Sequence, residues 1–122
     1  MRVLVLNGAS GATGASFGLL TRVDDVIMLM SEGLAAGQGG AERLPLLLAD
    51  PLQEAGWAAR TLDLIAVVVG PGSFTGLRAS LALAHGLALG SNAAIIGVTV
   101  GEALGPALRD MAQNLDLSLI HI

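Results

Sequence analysis

Nine consecutive residues, Gly70-Pro71-Gly72-Ser73-Phe74-Thr75-Gly76-Leu77-Arg78, gather the residue types best able to do chemistry in this chain. They join an apolar run to a helical pattern. The glycines permit a sharp turn, and Ser73 or Thr75 can cap the helix that follows. Free backbone N–H groups at that helix start could hold an anion. The stretch is not a Walker A loop, because the chain contains no lysine. Its last glycine interval is one residue too long for a G-x-G-x-x-G fingerprint. Two readings stand, a structural turn and a phosphate cradle, and composition alone favours the turn.

A second glycine series, Gly8, Gly11 and Gly14, follows the apolar run Val3–Leu6. It resembles the G-x-x-G-x-x-G loop of atypical short-chain dehydrogenases, which would make the chain an NAD(P)-binding protein. That alternative requires a helix over Ala15–Thr21, whereas Ser16–Thr21 and Val26–Met30 read as strands joined at Val23-Asp24-Asp25. A Tyr-x-x-x-Lys pair is excluded, since neither residue type occurs. Gly14-Ala15-Ser16-Phe17-Gly18 satisfies G-x-S-x-G, but a nucleophile elbow needs strand–turn–helix, and Ser16 opens a strand. His85 lies within an apolar helical run and reads as a partly buried core histidine. Met28 and Met30 read as strand core.

Composition removes whole classes of chemistry. Without lysine there is no Schiff base, and without cysteine no disulfide or thiolate metal site. Two histidines are too few for a histidine-built metal centre. The net charge is −4 and the six arginines are scattered, so there is no basic footprint for nucleic acid. Ala79–Gly101 lacks formal charge over a bilayer-spanning length, but Gly90-Ser91-Asn92 interrupts it as a helix stop. No signal peptide precedes the first apolar run. A cytoplasmic protein is the expectation.

The elements that must position the Gly70–Arg78 loop follow from periodicity. Val3–Leu6, Ser16–Thr21, Val26–Met30, Leu64–Val69 and Ala94–Val98 read as strands. Val26–Met30 is continuously apolar and is expected to be covered on both faces. Gly33–Gly40 reads as a flexible connection. Ala41–Ala55 reads as a helix, with Leu44, Leu47, Leu48 and Leu52 on one face. Pro45 suits a first turn, Pro51 should kink or end the helix near Asp50, and Gly56 is a natural stop. Leu77–Leu89 and Glu102–Met111 give two further helices. The order β-β-β-α-β-α-β-α predicts an α/β fold with one mixed five-stranded sheet and flanking helices.

The helix over Leu77–Leu89 is apolar on both sides. Leu77, Leu81, Ala84 and Ala88 line one face, and Ala79, Leu83 and Leu87 the other. One face can lie on the sheet; the second needs a neighbour, within this chain or from a partner.

The run Asp63–Val69, the Gly70–Arg78 motif and the continuation through Ala79–Leu89, Ile95-Ile96-Gly97-Val98 and Glu102-Ala103-Leu104 resemble the TsaB (YeaZ) family. Glu42-Arg43-Leu44-Pro45-Leu46-Leu47 and Glu54-Ala55-Gly56 are similar to that family's first helix. The resemblance implies a ribonuclease H-like, actin-like ATPase (ASKHA) N-terminal lobe over residues 1–108. Residues 109–122 are expected to be a tail outside the family pattern, at a truncated end.

The resemblance also implies a role in making threonylcarbamoyladenosine (t6A) in tRNA, as a non-catalytic scaffold. Docking on a TsaD-like subunit would run through Ala41–Ala55 and Leu77–Leu89, with Glu42, Leu46, Gln53, Leu83 and Leu87 in the contact. A TsaE-like ATPase and a homodimer are further implied associations, and tRNA would be met only through the complex. Gly70, Gly72, Ser73, Thr75, Gly76 and Arg78 would shape the turn and face a nucleotide held by the partner. No cofactor or metal is expected on this chain; ATP or ADP and a divalent metal belong to the partner-containing complex. Two positions depart from the family. Asn7 replaces the aspartate that usually closes the first strand, which weakens a magnesium site, and Gly40 replaces a histidine before the first helix.

Overall fold

The computed structural model describes residues 1–8, 14–37, 39–69 and 74–98. Five strands form one sheet: β1 (Arg2–Asn7), β2 (Ala15–Val23), β3 (Val26–Ala35), β4 (Leu64–Val68) and β5 (Ala94–Val98), in the order β3-β2-β1-β4-β5. The first three strands run antiparallel to one another, and β4 and β5 continue parallel to β1. Two helices, α1 (Gly40–Ala55) and α2 (Phe74–Leu89), complete the described elements with a single 3₁₀ turn at Ala59–Thr61. The mixed five-stranded sheet expected from the sequence is therefore present. The helix expected over Glu102–Met111 and the tail 109–122 lie outside the described residues.

Strand alternation builds two cores. Leu4, Leu6, Phe17, Leu19, Ile65 and Val67 face α1 and α2 and pack with Leu44, Leu48, Trp57 and Ala84. The opposite face carries Val3, Val5, Leu64, Ala66, Val68 and Val98, all buried, with Met1, Leu20, Ala94 and Ile96 against them. β4 is buried at every residue, as a central parallel strand with apolar side chains on both faces should be. Each fully buried leucine contributes on the order of 1.5–3 kcal/mol.

α1 ends as its sequence predicts. Gly56 takes a left-handed φ of 72°, its N–H donates to the Gln53 and Leu52 carbonyls, and the Trp57 N–H donates to Leu52 O at 2.9 Å. This is a Schellman closure, with Leu52 and Trp57 packed beside it. Across the open end of β1, the Arg2 guanidinium lies 5.0 Å from the Trp57 ring centroid and donates to Thr61 Oγ1 at 2.8 Å. The Arg2 N–H donates to Asp63 Oδ2 at 2.7 Å.

Several expectations are corrected. α1 runs through Pro45 and Pro51 to Ala55 without ending at Asp50. Leu44 and Leu48 are buried, and Leu47, Leu52 and Ala55 also pack on the core, so tertiary contacts outweigh the lost backbone hydrogen bonds. The connection predicted at Gly33–Gly40 is shorter than expected: β3 extends to Ala35 and α1 begins at Gly40. Val26–Met30 is not covered on both faces but lies in the edge strand, where Met28 and Met30 are 50% and 44% exposed. A continuous apolar run does not distinguish a central strand from an uncovered edge. His85 is exposed on α2 and does not sit in the core.

The dehydrogenase alternative fails on geometry. Ala15–Val23 is a strand paired antiparallel with β1, where a dinucleotide loop requires a helix. Ser16, opposite Asn7 in that ladder, is likewise no nucleophile elbow. Gly8 and Gly14 flank the segment, and Gly11 lies outside the described residues.

Two glycines make opposite predictions. A Cβ at Gly40 would overlap the Ala35 carbonyl oxygen and come within 2.8 Å of the Ala15 nitrogen, both backbone atoms that cannot swing away. Gly86 faces open space in mid-helix. In urea unfolding, Gly40→Ala is expected to lose about 1–3 kcal/mol, while Gly86→Ala is expected to gain about 0.5–1 kcal/mol.

Candidate functional site

The parallel pairing of β1 with β4 brings two glycine-rich segments to one edge of the sheet. Leu6 pairs with Val67, so the chain leaves β1 through Asn7-Gly8 and β4 through Val69 on the same side. In an open α/β sheet this carboxyl edge is where ligands settle. α2 begins there at Phe74, so its first turns lie beside Gly8 at the end of β1.

The closest approach is made by Gly8. A Cβ on Gly8 would overlap Ser80 Oγ and the Gly76 carbonyl oxygen. The backbone at the end of β1 thus lies directly against the first turns of α2. Ser80 is fully buried and donates its hydroxyl to Gly76 O at 2.9 Å. That bond satisfies the polar group inside an apolar helix, and it ties the turn carrying Gly76 to the next. Sequence reasoning missed the Gly8–Gly76–Ser80 contact. Its one available signal was a serine four residues after a glycine in an otherwise apolar helix.

Of the residues assigned to the crevice, Gly70, Gly72 and Ser73 lie outside the described residues. Thr75 belongs to the first turn of α2, Gly76 is buried against Gly8, and Arg78 is exposed. Asn7 closes β1 with a neutral carboxamide. Among the described residues no group of three His, Cys, Asp or Glu side chains could hold a metal ion.

The second feature is the helix layer. α1 and α2 pack against each other and share one core cluster. On α1, Glu42, Leu46 and Gln53 face outward, with Leu46 83% exposed. On α2, Leu83 and Leu87 are half-buried and packed on the core, so they are only partly available to a partner. Ala82, His85, Gly86 and Leu89 form the open side instead, and Leu89 is 91% exposed. Among the described residues nothing covers this side of α2, whereas Leu83 and Leu87 pack partly on the core. No helix among the described residues is long and apolar enough to cross a membrane.

This arrangement, a mixed five-stranded sheet with a parallel β1–β4–β5 half and two helices on one face, is the ribonuclease H-like fold of the actin-like ATPases. Known structures agree. The chain superimposes on YeaZ from Pseudomonas aeruginosa with a TM-score of 0.65 at 27% identity, covering 80% of this chain and 43% of that one. A second Pseudomonas aeruginosa structure, described as similar to peptidase YeaZ, gives 0.66 at 28% identity over the same shares. Thermus thermophilus RuvC shares the fold alone, with a TM-score of 0.55 at 11% identity, over 81% of this chain and 64% of its own.

Residues 35–117 match the family model described as TsaD, tRNA N6-adenosine threonylcarbamoyltransferase, and the chain belongs to that family. The tRNA N6-adenosine threonylcarbamoyltransferase of Cereibacter sphaeroides strain KD131 is 44% identical over 77 residues, 62% of this chain and 21% of that protein. Its counterpart in Paracoccus denitrificans strain Pd 1222 is 40% identical over 77 residues, 62% of this chain and 22% of that protein. The chain spans about a fifth of the length of these curated relatives.

The Gly8 contact yields a coupling test. Gly8→Ala is expected to destabilise the chain by about 1–3 kcal/mol, because the new methyl must push α2 off the end of β1. Combining it with Ser80→Ala removes one of the two obstructing atoms and leaves the Gly76 carbonyl. A double-mutant cycle in urea should therefore show partial rescue, a favourable coupling of about 0.5 kcal/mol or more.

Proposed function

We propose that the chain is the N-terminal lobe of a TsaB-type subunit, a non-catalytic docking platform in the synthesis of threonylcarbamoyladenosine in tRNA. The observation that carries this reading is the likeness to the two YeaZ structures, together with the Gly70–Arg78 motif at the junction of β4 and α2. Residues 1–108 form the lobe. Nucleotide and divalent metal enter through the partner subunit, which is consistent with the neutral Asn7 at the end of β1. Gly70, Gly72, Ser73, Thr75, Gly76 and Arg78 shape the edge that faces that nucleotide.

The docking surface in this reading is the outer side of the α1–α2 layer, presented to a TsaD-type subunit. Leu46 and Leu89 supply exposed apolar area, and Glu42 and Gln53 supply its polar rim. Small residues at Ala82 and Gly86 let a partner helix approach the α2 backbone closely. Leu83 and Leu87 act from beneath, by holding α2 on its own core.

A second reading is favoured by the 44% identity to a curated transferase: the lobe would then belong to the transferase type itself. Partner choice separates the two. A purified TsaD-type subunit should co-elute with the chain in size-exclusion chromatography. Association with the TsaB-type subunit alone would establish the second reading. Leu46→Asp is expected to weaken the heterocomplex at least about tenfold while leaving the thermal midpoint unchanged, because this side chain is 83% exposed.

A further inference from the structure

β3 stands at the end of the sheet with β2 as its one neighbour among the described strands. It is ten residues long, and its outer row of backbone N–H and C=O groups meets no other described strand. Edges of this kind are ordinarily protected by lysine, proline or short length. Here Val26–Ser31 contains neither residue and no charge. The irregularity in the β2–β3 register between Leu19 and Leu20 leaves Met30 as the extra residue of the edge strand.

Both faces of the edge are apolar. Val26 and Met28 pair with Val23 and Thr21 on the helix side, and Leu29 pairs with Leu20 on the other. Val26 is 59% exposed and Leu29 55%. The strand thus offers main-chain hydrogen bonds flanked by apolar side chains above and below, the two requirements for accepting an added strand.

Charge decides what that strand is. The apolar stretch is bracketed by Asp24 at the turn and by Glu32, both exposed. Antiparallel pairing with a second copy, centred on Met28, would set Asp24 of each chain against Glu32 of the other, at both ends. Parallel pairing would set each acid against its own copy. Like charges opposed across a ladder are destabilising, so a second copy is disfavoured in either direction. We propose that the outer edge of β3 receives an extended segment of another protein, rich in β-branched residues for about six positions and carrying Lys or Arg at its ends.

The test uses the full chain and a fluorescein-labelled peptide, Lys-Thr-Val-Thr-Val-Thr-Val-Lys, followed by anisotropy. A counterpart with Glu at both ends and a version N-methylated along one edge serve as comparisons. The Lys-flanked peptide should bind about fivefold more tightly than the Glu-flanked one, as two exposed charge pairs allow. The preference should shrink in 0.5 M salt, since exposed pairs are screened there to within about 4 Å. N-methylation should abolish binding by blocking the ladder. Leu29→Lys should abolish it too, with an unchanged thermal midpoint. Asp24→Asn combined with Glu32→Gln should retain binding but erase the preference, a readout that does not depend on Leu29→Lys. Equal binding of both peptides, or no saturable binding, would overturn the proposal. So would a dimer in light scattering that Leu29→Lys dissolves, since that makes the occupant a second copy.

Discussion

The parallel ladder between β1 and β4 is the constraint on which the rest of this chain depends. It joins the antiparallel unit β1–β3 to a strand–helix–strand unit that begins at Leu64. Every residue of β4 is buried, and so are Val3 to Leu6 of β1. Water cannot replace these hydrogen bonds, and breaking the ladder would expose both cores at once. The parallel direction then places the ends of β1 and β4 side by side. The glycine contact between Gly8 and α2 follows from that direction: an antiparallel pair would have carried the two loops to opposite ends of the sheet. The Arg2–Trp57–Asp63 contacts secure the other end of the same pair.

What could be read from the sequence was whatever local pattern determines. Apolar β4, the Gly56 stop of α1, and the hairpin at Asp24-Asp25 all depend on residues within a few positions of one another. Asp24 adopts a positive φ of 56°, which a short polar side chain tolerates. The errors arose where distant packing decides. Pro51 continues a helix because Leu44 and Leu48 are anchored below it. Met28 and Met30 look like core, yet the strand order leaves them at an edge. Leu83 and Leu87 lie on the face expected to need a neighbour; they pack partly on the core, while Ala82, His85, Gly86 and Leu89 stay exposed. Helical spacing alone gives no absolute rotation about the axis when every position is apolar.

The candidate crevice was only partly legible for the same reason. Glycine spacing drew attention to Gly70–Gly76, and the structure shows that Gly76 serves packing: it is buried against Gly8 and accepts the Ser80 hydroxyl. A glycine required for close approach and a glycine required for phosphate look identical in one sequence. The three-dimensional neighbour separates them, and for Gly76 that neighbour is backbone. The family relationship has a similar limit. A lobe shared by a transferase and by YeaZ carries the residues that build the sheet, whereas reaction chemistry lives in sites added to the fold. Identity of 44% to one and structural likeness to the other are therefore compatible observations about a single scaffold.

The two exposed apolar regions differ in what they would present to the occupants proposed for them. The α1–α2 layer offers side chains, Leu46 on α1 and Leu89 on α2 being the most exposed, so recognition there would depend on shape. The β3 edge offers backbone, so recognition there depends on length and terminal charge and tolerates varied side chains. The two are mechanically linked, because Gly40 at the start of α1 abuts the Ala35 carbonyl at the end of β3 and the Ala15 nitrogen of β2. A strand added along β3 would stiffen the segment from which α1 springs, and a helix packed on α1 would stiffen the end of β3.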